Sequence, residues 1–500
     1  MSITGPGSIT AANVASQTNM MNQLNTLGQE MGSGQAAQTY SGLGSQAGVA
    51  LALGAQLSDI NGYSSTATTV GTTLSIAQSV LTQLGNAGSS VQQAISQQGA
   101  FSLDNTGQTA TQESAASYLD QILSLLNTQV GGNYIFSGSA LNQPSVASAN
   151  DILNGNGPQA GLTQLISERQ QADLGANNLG RLAVGGTGSN VTLTQDGSPF
   201  GFQLASVNSS LTGATVTGPA GSPPSISVDL GSNPSAGQSI AFNLTLPDGS
   251  SQTVTLQATT ASPAGANQFT IGATPAATAA NLQTALTGAI GSLAQTALPA
   301  ASAVAAANDF FNSDPPQIVN GPPYDTATSL VSGTPANTVF WYTGENGSTP
   351  ALQTATAQVG PSMSIAYGMR ATEPAISSLV ANVAALAATT FSASNPNAQA
   401  SYQALCQSVT ANLSGQPGTQ SISDIEANLA NAQTTISDAT AMNAQTQTTL
   451  QDMLQGIEGV NQNQIGEDIL TLQNNLSASM SVTARLAQLS LVNYLSPVTG

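Results

Sequence analysis

The stretch that decides the fold runs from residue 60 to residue 95, INGYSSTATTVGTTLSIAQSVLTQLGNAGSSVQQAI. Its apolar and small residues recur alternately three and four apart, as Ile60, Tyr63, Ala67, Val70, Leu74, Ala77, Leu81, Leu84, Gly88, Val91 and Ile95. The same rhythm returns near the other end as Ile422, Ile425, Leu429, Ala432, Ile436, Ala439, Asn443, Thr446, Leu450, Met453 and Ile457. A 3-4 spacing keeps one stripe of a helix turned toward a partner helix, which is coiled-coil geometry. A helix as long as either ladder extends roughly 50 Å at about 1.5 Å per residue. The expectation is a mainly α chain in which N- and C-terminal helices form a long antiparallel coiled-coil rod. Its core would be Ile60, Val70, Leu74, Leu81, Leu84 and Ile95 against Ile425, Leu429, Ile436, Leu450, Met453 and Ile457.

Composition restricts the chemistry. The 500 residues contain no histidine, and the four cations are all arginine: Arg169, Arg181, Arg370 and Arg485. Without histidine or lysine, and with one cysteine, the usual general bases, Schiff-base chemistry and zinc sites are missing. No catalytic residue, cofactor site or metal site is expected. A carboxylate hydrolase would have to draw on Asp196, Asp229 and Asp248, paired in a cleft at the spacing that glycosidases use. A net charge of −19 excludes the phosphate neutralisation that drives nucleic-acid binding. Cys406, among Tyr402, Leu405, Val409 and Leu413, reads as a small buried apolar residue. The opening residues lack a basic region followed by an apolar one, so export by the common secretory route is not expected. No window has the uninterrupted apolar length of a membrane span, so membrane insertion is not expected either.

Along the chain, Val14, Met21, Leu24, Leu27 and Met31 form a first short stripe that breaks at Gly32-Ser-Gly34. A helix with Ala115, Leu119, Ile122 and Leu126 on one face precedes Gly131-Gly132, and a strand is expected at Asn133–Gly138. In the middle, Ile240, Phe242, Leu244 and Leu246 alternate, Pro247-Asp-Gly249 turns, and Val254 and Leu256 resume the alternation: a hairpin. Val191-Thr-Leu-Thr194 and Ile226, Val228 and Leu230 predict further strands. Thr274-Pro275 caps a helix bearing Leu282, Leu286 and Leu293. A final stripe of Ile465, Ile469, Leu472, Leu476, Thr483 and Leu486 is the expected partner of the first one. Stripes so short and amide-rich are marginal alone, and ordering against neighbouring copies is expected. The expected division is an N-terminal helix over 1–34 paired with 465–500, rod segments over 35–185 and 364–464, and an inserted β-rich α/β domain over 186–363.

Several segments carry a resemblance. Gly132-Asn-Tyr-Ile-Phe-Ser-Gly138 resembles a stretch typical of hook-filament junction proteins, and Ala484-Arg-Leu-Ala-Gln-Leu-Ser-Leu-Val-Asn-Tyr-Leu495 resembles their C-terminus. Ser167-Glu-Arg-Gln-Gln-Ala-Asp-Leu-Gly175, Trp341-Tyr-Thr-Gly344 and Ile365-Ala-Tyr-Gly-Met-Arg-Ala371 are similar to segments of alphaproteobacterial flagellins and junction proteins. The resemblance to the flagellin family covers residues 10–186 and 340–495. It implies an extracellular structural subunit of the bacterial flagellum, exported through the flagellar channel and most similar to the junction protein, with filament flagellin as the second reading. The partners it implies are copies of the same chain, hook-associated protein and flagellin neighbours, and an export chaperone. The implied assembly interface is Val14, Met21, Leu24, Leu27, Met31, Ile465, Ile469, Leu472, Leu476, Arg485 and Leu486.

The chain departs from the family where an arginine usually follows the first helix, because Gly32-Ser-Gly-Gln-Ala-Ala-Gln38 carries no cation. A surface without lysine or histidine changes charge mainly in the acid range, which fits either an acidic working medium or lineage drift in a non-catalytic protein. Arg169, next to Glu168, and Arg181 are expected to make local ion pairs or hydrogen bonds, and Arg370 to pair with Glu373 three residues on if that segment is helical.

Overall fold

The computed structural model describes the backbone of residues 6–415 and 417–494, and the side chains of residues 11–415 and 417–488. Leu495, which ends the C-terminal motif, lies outside the described residues. The helices are α1 Pro6–Ser33, α2 Ala47–Ser96, α3 Ala110–Leu126, α4 Ala149–Asn154, α5 Leu162–Leu174, α6 Pro275–Gln295, α7 Ala297–Phe311, α8 Pro374–Ala388, α9 Ala398–Leu413, α10 Ile422–Glu458 and α11 Gln462–Tyr494. The first strands are β1 Gln129–Val130, β2 Asn133–Tyr134, β3 Leu182–Gly185, β4 Asn190–Gln195, β5 Gln203–Ser209, β6 Ala214–Ala220 and β7 Ser225–Leu230. They are followed by β8 Ser239–Thr245, β9 Ser251–Thr259, β10 Gln268–Thr270, β11 Gln317–Val319, β12 Leu330–Ser332, β13 Thr356–Gly360 and β14 Met363–Ala366.

This is a correction to the expected fold class. The chain is mixed, 53% helix and 16% strand with several small sheets, and no long coiled-coil rod is evident. The ladders do become helical, but a 3-4 period specifies a buried stripe and not a single partner. At Gly88 the stripe of α2 meets α8, close enough that an added methyl would lie 2.9 Å from Leu379 Cδ1. Gln92 of α2 donates to the Thr410 carbonyl at 3.3 Å and to Ser414 Oγ at 3.1 Å. On α10, Asn443 is buried because its amide donates to the Val359 carbonyl of β13 at 2.8 Å. Met453 is 51% exposed, and Leu454 beside it takes the packed position.

Two compact units divide the chain. The first comprises Met1–Thr69, Ala357–Ile365 and Thr434–Gly500. In it α1 and α11 lie side by side, and Gln17 donates to Ser479 Oγ at 3.4 Å and Thr483 Oγ1 at 3.0 Å. The links that follow α1 and α10 pair as short antiparallel backbone: Ala36 N donates to Glu458 O at 2.7 Å and Val460 N to Gly34 O at 3.2 Å. Gly34 ends α1 at a φ of +71°, a conformation that only glycine takes at little cost. Leu53 and Ile60 of α2 bury against Leu450 of α10, with Leu57, Tyr63, Leu454 and Ile457 packed around them.

The second unit comprises Val70–Thr356 and Ala366–Gln433. Its apolar α8 is buried along nearly its whole length and packs against α3, α7 and α9. Gln112 closes a capping box with Thr109 at the start of α3 and also donates to the carbonyls of Leu386 (2.9 Å) and Thr389 (2.7 Å), tying α3 to the end of α8. The strand expected at Asn133–Gly138 is confined to Asn133–Tyr134, and the buried Ile135, Phe136 and Ser137 continue as irregular chain.

Two four-stranded sheets of this unit, ordered β3-β4-β7-β6 and β10-β9-β8-β5, share one core with α6. The expected hairpin is β8–β9, with Phe242 opposite Val254 and Ile240 opposite Leu256. Strict alternation places Ile240, Phe242 and Leu244 on the inner face, where Leu282, Leu286 and Ile290 of α6 join the same core. Thr274 caps α6 by accepting from Ala277 N at 3.2 Å, with Pro275 at its first position. Because Phe242 is 1% exposed, Phe242→Ala is expected to cost about 3–5 kcal/mol of the unit's stability. Urea unfolding followed by circular dichroism reads this loss, and a loss below about 1 kcal/mol contradicts the packing described.

Candidate assembly surface and buried ion pairs

The terminal helices of the first unit bury only part of their apolar surface. Leu24 and Leu27 of α1, and Ile469, Leu472 and Leu476 of α11, are half-buried, while Ile465 is buried. Val14, Met21 and Met31, from the same expected stripe, stay exposed, as does Leu486. The sequence reading missed Leu470, Met480 and Val482, which fall off the 3-4 stripe and face solvent; Leu470 is 62% exposed. Their signal was bulk on the polar side of α11, a position where a helix with a single buried face carries polar residues.

Among the described residues, fourteen large apolar side chains are exposed, and all but Leu141 and Val331 belong to the first unit. That unit holds less than a third of the chain. Between α1 and α11 an open groove of about 540 Å³ is lined by Thr26, Leu27, Asp468 and Leu472. Arg485 is the first unit's single cation, exposed on α11 and, among the described residues, without an ion-pair partner. The same unit carries the acids Glu30, Asp59, Asp438, Asp452, Glu458, Glu467 and Asp468.

The second unit's arginines are all buried and paired, Arg169 locally as expected, but Arg370 not with the expected Glu373. Arg169 bonds Asp173 at 2.9 Å and Asp309 at 2.5 Å, whereas Glu168 accepts from Gln164 and from the Tyr324 hydroxyl, each at 2.8 Å. Arg181 pairs with Asp196 at 3.0 Å, and both guanidinium groups lie over the Phe200 ring, 5.1 and 5.6 Å from its centroid. Arg370 pairs with Glu345, while Glu373 accepts from Gln420 at 2.8 Å.

Three of the segments singled out in the sequence meet at this last pair. Ala371 N donates to Phe136 O at 2.9 Å, Gly138 N to Met369 O at 3.0 Å, and Glu345 N to Ser137 O at 2.9 Å. These segments build a buried joint of the second unit, so their sequence signature marks a fold constraint.

The hydrolase candidates are engaged separately. Asp196 holds Arg181, Asp229 accepts from Ser189 at 2.7 Å, and Asp248 accepts from Ser250 at 2.6 Å and Ser408 at 3.3 Å. Cys406 is buried, and burial pushes its thiol up to about 11. Among the described residues, no group of three or more His, Cys, Asp and Glu side chains is placed to hold a metal. No single described helix is long and apolar enough to cross a membrane. Compared with models of known protein families and with curated proteins, the chain matches none.

Two carboxylates share the Arg169 guanidinium, and burial raises the pKa of both Asp173 and Asp309 despite the attraction of that arginine. A folded pKa above the unfolded value of about 4 means that the pair's contribution is fully present below that pH. It is lost as pH rises through the folded value. Asp104 and Asp424, both exposed, act in the opposite sense. Backbone hydrogen bonds, from Gln108 and Ser421 respectively, lower them, so their contribution disappears as pH falls. Asp309→Asn leaves the Arg169–Asp173 bond in place and is expected to flatten the decline in stability above about pH 4. Urea midpoints measured across that range check it, and a variant with an unchanged slope contradicts the raised pKa of Asp309.

Proposed function

We propose that the chain is a structural subunit of the bacterial flagellum that self-associates through its terminal helices and acts at the hook-filament junction, outside the cell. The observation that carries this reading is the concentration of exposed large apolar side chains on α1, α11 and the flanking parts of α2 and α10. In water such a surface costs free energy, and burying it against other copies recovers about 25 cal/mol per Å² before ordering costs are subtracted. Head-to-tail contacts of one patch with a different patch generate an open helical polymer when they do not close into a ring. The partners in this reading are further copies of the chain, flagellin and hook-associated neighbours above and below, and a chaperone that covers the apolar faces before export. The reading assigns no catalysis, because it needs only shape and burial.

Within the flagellar reading, the segments at residues 132–138 and 484–495 favour the junction protein over filament flagellin, on their resemblance to junction-protein sequences. Electron microscopy of the purified chain, concentrated alone and then with short filament seeds, separates the two. Assembly confined to a short collar on seeds supports the junction role, and long filaments of the chain alone make it a flagellin. Absence of any self-association in either condition overturns both.

Leu470→Asn combined with Val482→Asn is expected to weaken self-association at least about tenfold, since one buried side chain of this size contributes about 1.5–3 kcal/mol. Sedimentation equilibrium reads the change. Both residues are exposed in the single chain, so its helix content stays constant. Association unaffected by the double variant removes α11 from the interface.

A further inference from the structure

Aromatic residues make up 4% of this chain, yet Phe311, Phe340, Trp341 and Tyr342 together line one pocket of about 280 Å³ in the second unit. The pocket lies where the end of α7 meets the Trp341-Tyr-Thr-Gly344 segment and the start of α8. Phe311 and Trp341 are buried and meet edge to face at 5.1 Å, with Tyr342 6.1 Å beyond, so the wall is rigid. Phe340 is half-buried.

The polar groups around the pocket narrow what can enter. The indole N–H of Trp341 is committed to the Phe311 carbonyl at 3.0 Å, and the Ser377 hydroxyl donates to Asn312 Oδ1 at 2.7 Å. Those donors are therefore not free for an anion or a sugar hydroxyl. Asp314, exposed at the rim, is the only charged side chain among the described lining residues. The nearby guanidinium of Arg370 is neutralised by Glu345. The rings of Phe340, Trp341 and Tyr342 beside the single carboxylate of Asp314 are an arrangement that attracts an organic cation.

We propose that this pocket binds a small alkylammonium solute, its methylated nitrogen held against the rings of Phe340, Trp341 and Tyr342 and its charge balanced by Asp314. Small size follows from the volume, and a methylated nitrogen follows from the rings, which hold a cation by their faces without accepting a hydrogen bond from it. This site is independent of the assembly surface.

Trp341 is the only tryptophan in the chain, so its fluorescence reports directly on the pocket. The full chain is titrated with choline, and in parallel with 3,3-dimethylbutanol, which has the same shape without the charge. The proposal predicts a saturable change in Trp341 emission with choline and an affinity for the neutral alcohol lower by about tenfold, the scale of a desolvated cation–π contact. Asp314→Asn, at an exposed position, is expected to weaken choline about five-fold or more while leaving the unperturbed emission spectrum unchanged. Phe340→Leu, half-buried, is expected to weaken it as well. No saturable change with choline overturns the proposal, as does equal affinity for the neutral alcohol or an Asp314→Asn variant that binds choline as well as the parent chain.

Discussion

Uneven burial of apolar surface is the constraint on which this structure turns. In the first unit, α1 packs on α11 and the start of α2 packs on the end of α10, each along one face. The opposite faces carry Val14, Met21, Val49, Leu51, Met442, Leu470, Met480 and Val482 into solvent. An isolated exposed leucine is ordinary, but a set concentrated in one unit is not. The second unit shows the contrast: its large apolar residues are almost all inside, in the two sheets with α6 and around α8. Two solutions to the same hydrophobic problem therefore coexist in one chain, one closed and one open.

The scarcity of charge shapes the closed unit. Its three arginines are placed inside, each against a carboxylate, and none is spent on the surface. Breaking such a pair on one side leaves an uncompensated buried charge, which is far more costly than losing a surface bridge. Arg169 and Arg181, both over Phe200, hold α5 to α7 and to the sheet edge after β4, while the Arg370 pair fastens the chain near the start of α8. The acid response is mixed accordingly: Asp173 and Asp309 favour the folded state at low pH, and the exposed Asp104 and Asp424 oppose it.

Local patterns were legible in the sequence and partners were not. Alternation from Ile240 to Leu256 located β8 and β9 because a hairpin is closed by its own turn, so register and face follow from adjacent residues. Thr274-Pro275 located the start of α6 for the same reason. The ladders marked helices correctly but not what lies against them: Leu379 beside Gly88, and Val359 against Asn443, come from segments far away in the chain. Arg370 was assigned to Glu373 by helical spacing, yet the residues before α8 are not helical, and the partner is Glu345, 25 residues upstream. Val14, Met21, Met31 and Leu486, exposed on α1 and α11, were legible as members of a stripe. Leu470, Met480 and Val482 were missed because a search for one buried face discards the residues on the other.

The most direct test of the open first unit is hydrogen exchange of the full chain, compared between dilute solution and the assembled state. The account predicts that protection rises on assembly along α1 and α11, while the sheets and α8 of the second unit change little. Protection gained mainly within residues 70–356, with α1 and α11 unchanged, contradicts it.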